Sequence, residues 1–389
     1  MAIILKDKSF EYGFVTEKGM VISLKTISIY VHIPFCRKKC NYCSFYSLPD
    51  CDDGIKQQYT DALIRQIKAF ETDSSIKSIY FGGGTPPVLG VKRLLAIFEE
   101  IKSSFSLAED CEITLEVNPR SVTLDELIML REAGFNRISM GMQSADDNEL
   151  AVLGRTYTNA QYEYAMRSVS AAGFVNISTD IIFALPEQTK EGLVKTLITA
   201  INMNIPHISV YSLSIEGGTP FYYKRDSLCL PDEDTEDEMY YLLCDIMQKH
   251  GYMHYEISSF SREGYESRHN LHYWDCGEYI GFGAAAHSFY NGKRFSNIAD
   301  VGTYIALADE CFYSPTDFNT QPVLSDIEKA GERIMLGLRT SKGIKTDDEL
   351  IRRSEKFINN GYAVIRDGIL SLTDKGYRIS NSIIAELLV

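Results

Sequence analysis

Between Ser28 and Ile215 the chain alternates short β-patterned runs with longer stretches of helical periodicity, and this regularity excludes most folds open to 389 residues. The strand-like runs fall at 28–35, 76–81, 112–117, 137–143, 177–184 and 207–215, and the helical patterns at 54–70, 91–105, 124–133, 160–172 and 191–203. In the first helical stretch Ile55, Tyr59, Leu63, Ile67 and Phe70 recur near the period of one buried stripe. Turn chemistry marks the joints: Thr123-Leu124-Asp125-Glu126 fits a capping box, and Gly134 and Gly173 follow helix ends. Strands separated by helices run parallel under a helical cover, so the chain is α/β. An open doubly wound sheet and an incomplete barrel both satisfy that pattern. Gly82-Gly83-Gly84, Glu116, Gln143 and Glu216 sit at or just past strand carboxyl ends, the rim on which (β/α) barrels build their sites. Six units rather than eight predict an incomplete (β/α)6 barrel, open on one side for a large substrate.

The first strand runs into Cys36-Arg37-Lys38-Lys39-Cys40-Asn41-Tyr42-Cys43. Three thiols so close together can face one point and hold a soft metal centre. A cubane iron-sulfur cluster takes one thiolate per iron, so three cysteines leave one iron open for chemistry or substrate. The alternatives are a structural zinc site or a disulfide. Zinc ribbons bring CxxC pairs with a fourth Cys or His, which this chain lacks at matching spacing. Cys51, Cys111, Cys229, Cys244, Cys276 and Cys311 are scattered and read as reduced thiols, mostly core filler.

A formal net charge of -14 argues against a nucleic-acid backbone or an anionic membrane as the main partner. The sequence contains neither an apolar run long enough to cross a bilayer nor a signal segment at its start, so the expected location is the cytoplasm.

Four segments are expected: an extension over 1–27, with Met20 as an alternative start, the partial barrel over 28–228, a barrel extension over 229–308, and a C-terminal domain over 309–389. The acids within 232–238 complement the positive end of a following helix and are assigned no function. In His269-Asn270-Leu271-His272-Tyr273-Trp274 two histidines and flat rings could ligate and cover a porphyrin, or form an ordinary aromatic cluster with satisfied histidines. Gly281-Phe282-Gly283 lacks the context of a dinucleotide loop. Asp367-Gly368 between alternating runs predicts a hairpin, and helix-hairpin-helix order suggests an α+β winged-helix-like module. Without a basic recognition stripe, a lid or docking role suits it better than DNA binding.

The CxxxCxxC spacing, with Tyr42 before its third cysteine, resembles the signature of radical S-adenosylmethionine (SAM) proteins. That resemblance implies a (β/α)6 core and a [4Fe-4S] cluster on Cys36, Cys40 and Cys43, with the methionine end of SAM on the open iron. The GGGTP loop resembles that of the oxygen-independent coproporphyrinogen dehydrogenase (HemN-like) group. There Gly83, Gly84 and Thr85 match SAM contacts, as do Tyr30, Tyr42, Glu116, Gln143, Arg155 and Asp180. Taken by itself, each polar residue reads equally as a structural hydrogen bonder. The HNxxYW run, Tyr255-Glu256-Ile257-Ser258, Tyr211-Ser212-Leu213 and Gly218-Thr219-Pro220 resemble the haem-chaperone branch of the group, the HemW family. Gly217 stands where many relatives have proline.

This closer resemblance runs from about Ile29 to the C-terminus and implies haem as a third cofactor. It makes His269 the expected axial ligand, with His272 and Tyr273 as alternatives and Trp274 as covering surface. Acceptor haemoproteins, respiratory ones among them, and an electron donor for the cluster are the implied partners. A homodimer and a peripheral membrane contact stay open. Phe45 replaces the further cysteine of the true dehydrogenases, which argues against porphyrinogen oxidation as the activity. Two classes therefore stand: a haem-delivery protein, or a radical SAM enzyme acting on a porphyrin.

Overall fold

Thr26–Ile33 (β1), Ser75–Gly83 (β2), Leu107–Val117 (β3), Arg137–Gln143 (β4), Asn176–Phe183 (β5) and His207–Ser212 (β6) form the parallel sheet in the computed structural model, which describes residues 13–15, 21–23, 25–307 and 322–388. They lie side by side in chain order from β1 to β6. A doubly wound sheet reverses its strand order at a switch point. This one does not, so every right-handed crossover returns on the same side and the sheet curls into an open barrel. Met20, Cys311 and the 308/309 boundary lie outside the described residues.

Asp53–Ala69 (α1), Val91–Ser104 (α2), Leu124–Ala133 (α3), the short Asp147–Val152 (α4), Asn159–Ala171 (α5) and Lys190–Asn202 (α6) make the crossovers. Their starts are set by side chains at the N-cap. Asp52, Thr123, Thr158 and Thr189 accept from the third helical amide, and Thr123 and Thr158 complete capping boxes with Glu126 and Gln161. Each such cap contributes about 1 kcal/mol.

Side chains alternate between the two faces of a strand. On the outer face Ile29, Val31, Ile79, Phe81, Leu115 and Met140 pack with Leu63, Ile67, Leu94 and Phe98 of the helices. The inner face is polar: Ser28, Ser78, Glu112, Arg137, Ser139, Ser178 and His207 are all buried. Buried polar groups need partners, and most of these have them, Arg137 Nε being an exception. Ser28 Oγ lies 2.7 Å from Ser78 Oγ, and His207 bridges Ser178 Oγ at 2.7 Å and the Tyr255 hydroxyl at 2.8 Å.

Beyond β6 come Pro220–Lys224 (α7), Glu233–Lys249 (α8), the hairpin Met253–Glu256 (β7) and Ser259–Ser261 (β8), Arg268–Trp274 (α9), and Tyr279–Phe282 (β9). The HNxxYW run is helix α9, and its N-terminus is held inside the barrel. The buried Glu112 carboxylate accepts from His269 N at 3.0 Å and Arg268 N at 3.3 Å, a charge placed at the positive helix end. Strand β9 adds a seventh parallel strand beside β1, pairing Tyr279 with Ser28 and Phe282 with Val31. It explains the glycines there: a Cβ on Gly281 would lie 2.2 Å from His287 O, and Asn297 Nδ2 donates to Gly281 O and Gly283 O. The strands His287–Tyr290 (β10) and Lys293–Ser296 (β11) finish this edge.

After Val301–Leu307 (α10), the C-terminal part contains Asp326–Gly337 (α11), Ile344–Lys345 (β12), Asp348–Asn359 (α12), Ala363–Arg366 (β13), Ile369–Leu372 (β14), Asp374–Arg378 (α13) and Ser380–Leu388 (α14). Asp367 and Gly368 turn β13 into β14 with φ of 52° and 73°, the left-handed pair that an Asp-Gly hairpin requires. The acidic run both caps α8, through Asp232, and holds this part of the chain. Arg378 pairs with Glu236 and Asp237. No helix among the described residues is long and apolar enough to cross a membrane.

Candidate functional site

The cysteine loop leaves β1 at the pair Phe35–Cys36, which lies parallel to Leu48–Pro49, and is held down at its middle. Asn41 N donates to Leu153 O at 3.0 Å, Asn41 Nδ2 to Val152 O at 2.8 Å, and Phe221 N to Asn41 O at 3.0 Å. Cys36, Cys40 and Cys43 are all partly exposed to one cavity of about 750 Å³ at the carboxyl ends of the strands, beside Gly83, Gly84, Thr85, Glu116, Gln143, Arg155 and Asp180. Tyr42 and Phe45 line it too, Phe45 being 69% exposed.

The glycine loop is glycine for internal reasons first. A Cβ on Gly84 would lie 2.6 Å from Phe35 O, and one on Gly83, whose φ is +110°, would lie 2.5 Å from the His32 ring. Its amides are also committed: Gly83 N to Glu116 Oε2, Gly84 N to Ile33 O, Thr85 N to Phe35 O. None of these three amides is free for a ligand. What it has left to offer a ligand is carbonyl oxygen.

Two acids stand in this polar interior. Burial, above all, pushes the Glu116 carboxyl up to about 7, against the hydrogen bond that Tyr80 donates to Oε1 at 2.7 Å. Burial likewise raises Asp180 to about 6, against the attraction of Arg137. Opposite them Arg155 donates to the Tyr42 hydroxyl and, at 3.0 Å, to Asn118 Oδ1. Asn118 Nδ2 in turn donates to Thr85 Oγ1 at 2.8 Å, which lies 3.9 Å from Cys36 Sγ. The buried Arg155 Nε has no partner. Three convergent thiols, two costly carboxylates and an orphaned guanidinium atom fit a metal cluster carrying a zwitterionic, cationic ligand.

Tyr30 is the one predicted SAM contact that does not line this cavity; its ring stacks on Tyr80, 6.3 Å away, and Tyr80 does line it. Tyr80, Asn118, Ser139 and Tyr157 carry no local signal in the sequence. The two-residue alternation of the neighbouring strands could have found Tyr80 and Ser139, since both share the inner face with Glu116 and Asp180.

Helix α9 splits its motif between two surroundings. His269 and His272 are 1% and 4% exposed. His269 Nδ1 lies 2.9 Å from Ser78 Oγ and Nε2 lies 2.8 Å from the Tyr273 hydroxyl, while His272 Nε2 lies 2.7 Å from Glu278 O. Tyr273 and Trp274 instead line a second cavity of about 580 Å³, with Asn270, Tyr279, Phe289 and Met335. Tyr211 lines both cavities, so the two share a wall.

A family model described as the Radical SAM superfamily matches residues 30–200. Coproporphyrinogen III oxidase (HemN) from Escherichia coli shares the fold with a TM-score of 0.81 over 94% of this chain and 90% of its own, at 22% identity. Fold and site together define a radical SAM protein. Two curated relatives are Heme chaperone HemW of Lactococcus lactis, 34% identical over 94% of this chain and 98% of that protein, and Heme chaperone HemW of Bacillus subtilis, 34% identical over 90% and 92%. The chain belongs to the HemW family.

Proposed function

We propose that this protein is a haem chaperone that holds a [4Fe-4S] cluster and SAM in the first cavity, binds haem beside helix α9, and passes it to acceptor haemoproteins. The observation that carries the reading is the convergence of Cys36, Cys40 and Cys43 with Glu116, Asp180 and Arg155 on one cavity in a chain of this family. The three thiols would hold the cluster. Arg155, with its unpartnered Nε, would take the methionine carboxylate of SAM, and the carbonyl oxygens of Gly83 and Gly84 its ammonium group. Glu116 and Asp180 would face its positive charge or its ribose hydroxyls, and Gln143 and Thr85 supply further hydrogen bonds. Tyr30 would act behind Tyr80 rather than on the ligand. When bound, the cluster and SAM supply one-electron chemistry.

The loop over this cavity exposes Arg37, Lys38 and Lys39 on a chain of net charge -14, a local basic patch suited to an acidic electron donor. All eight described cysteines are free, which supports a reducing, cytoplasmic setting. For the haem, a cavity lined by the aromatic side chains of Trp274, Tyr279 and Phe289 suits a porphyrin.

The test is anaerobic reconstitution followed by two titrations. SAM should perturb the spectrum of the reduced cluster, and less so in Asp180→Ala. Protein loaded with haem should transfer it to an apo-haemoprotein. Catalytic conversion of coproporphyrinogen to protoporphyrinogen would replace this reading with the enzymatic one.

A further inference from the structure

Resting on that haem-carrying reading, we propose that the axial ligand offered to haem iron is the Tyr273 oxygen, and that His269 is the positioning residue that holds it by a hydrogen bond. Asn270, Tyr273 and Trp274 occur at the three- and four-residue spacing of one helix face, and that face lines the second cavity. The two histidines point elsewhere. His269 is 1% exposed and is anchored through Nδ1 to Ser78, which is itself bonded to Ser28 at 2.7 Å. His272 is packed so closely on backbone that a Cβ on Gly277 would lie 2.1 Å from its ring. Neither imidazole reaches the cavity as folded, whereas the Tyr273 side chain lines it.

A phenol that binds ferric haem needs an acceptor for its hydrogen at hand. Tyrosine is a known haem ligand type, and ligands are oriented by a partner behind them. The hydroxyl of Tyr273 lies 2.8 Å from His269 Nε2, with the rings at 78°. In the tautomer that donates Nδ1–H to Ser78, Nε2 is left as an acceptor facing the Tyr273 hydroxyl. On binding, the iron–oxygen bond forms while the phenol O–H stays hydrogen-bonded to Nε2; no atom changes oxidation state. The cavity has another phenol, Tyr279, whose ring lies 4.5 Å from that of Tyr273, but the side chain hydrogen-bonded to it is the Arg294 guanidinium, which is itself paired with Glu332. Cys276 and Met335 also line the cavity.

The experiment titrates ferric haem into full-length wild type, Tyr273→Phe, Tyr279→Phe, His269→Ala and His269→Gln, followed by absorption and by resonance Raman with ring-deuterated tyrosine. Cluster iron content and thermal melting serve as folding controls. The expected result is an isotope-sensitive tyrosine signature in wild type and Tyr279→Phe that is lost in Tyr273→Phe. His269→Ala should weaken haem binding by about 10- to 100-fold, as loss of an outer-shell partner does, and His269→Gln, which restores an acceptor, should recover part of it. A wild-type spectrum in Tyr273→Phe, or an imidazole-ligated spectrum lost only in the His269 variants, overturns the assignment while leaving the haem-carrying reading intact. Wild type that binds no haem overturns both.

Discussion

The Tyr80 hydroxyl donates to Glu116 Oε1 at 2.7 Å while its ring packs on His269, with centroids 5.1 Å apart. One side chain on the inner face of β2 thus touches a carboxylate of the first cavity and a histidine of helix α9. Because this hydrogen bond opposes the burial that raises Glu116, Tyr80→Phe should push that carboxyl higher still. SAM is cationic, so its binding to the wild type should strengthen as pH rises through about 7. In Tyr80→Phe the same rise should occur at higher pH, as titrations of the reduced cluster at several pH values would read out.

Glu116 also makes a stability prediction of definite sign. Its folded pKa, about 7, lies above the unfolded 4.5, so the folded state binds more protons and stability is lost as pH rises through that window. Glu116→Gln removes this loss. Without SAM, the variant should gain about 2 kcal/mol on the wild type between the two ends of the window, a figure discounted for the side chain's exposure to the cavity. Urea melts across that range would show it; parallel curves would contradict it.

Cys40→Ser should abolish the cluster. Reconstituted wild type is expected to hold about four irons per chain, and the variant far less. A full cluster in the variant, or stoichiometric zinc in the wild type, would refute the three-thiol site.

At Gly84 an alanine methyl would lie 2.6 Å from Phe35 O, a backbone atom that cannot swing away. Gly84→Ala should therefore push apart β2 and the segment that carries Cys36. The expected cost is about 2 kcal/mol of stability, with reduced cluster occupancy even where the fold survives. Iron content measured against melting temperature would separate the two effects.

Glu112→Gln tests the seat of helix α9. Each carboxylate oxygen accepts one amide of the first turn, whereas a glutamine has a single oxygen to accept one of them, sets an NH2 donor against the other, and loses the dipole interaction. The chain should lose about 1–2 kcal/mol, and haem affinity should fall while cluster iron stays at the wild-type level. Equal loss of both would mean that the helix supports the whole barrel and not the haem site in particular.

What the sequence determined by itself was local. Periods of two and 3.6 residues, Thr123 with Glu126, and Asp367-Gly368 act between near neighbours, so the six barrel strands and their main helices could be read, with the start of β3 and the end of β6 furthest from their expected places and the short α4 unread. The spacing of Cys36, Cys40 and Cys43 belongs to the same kind, since one loop brings them together. The rest depended on contacts between residues far apart in the chain. That β9 joins β1, that Gly84 is glycine because of Phe35, that Glu112 caps a helix more than 150 residues later, and that Tyr273 rather than His269 faces a cavity were all decided by packing. A side chain's type announces what it can bind, but burial and the partner opposite decide which of its atoms remain free, and only the closed barrel supplies those.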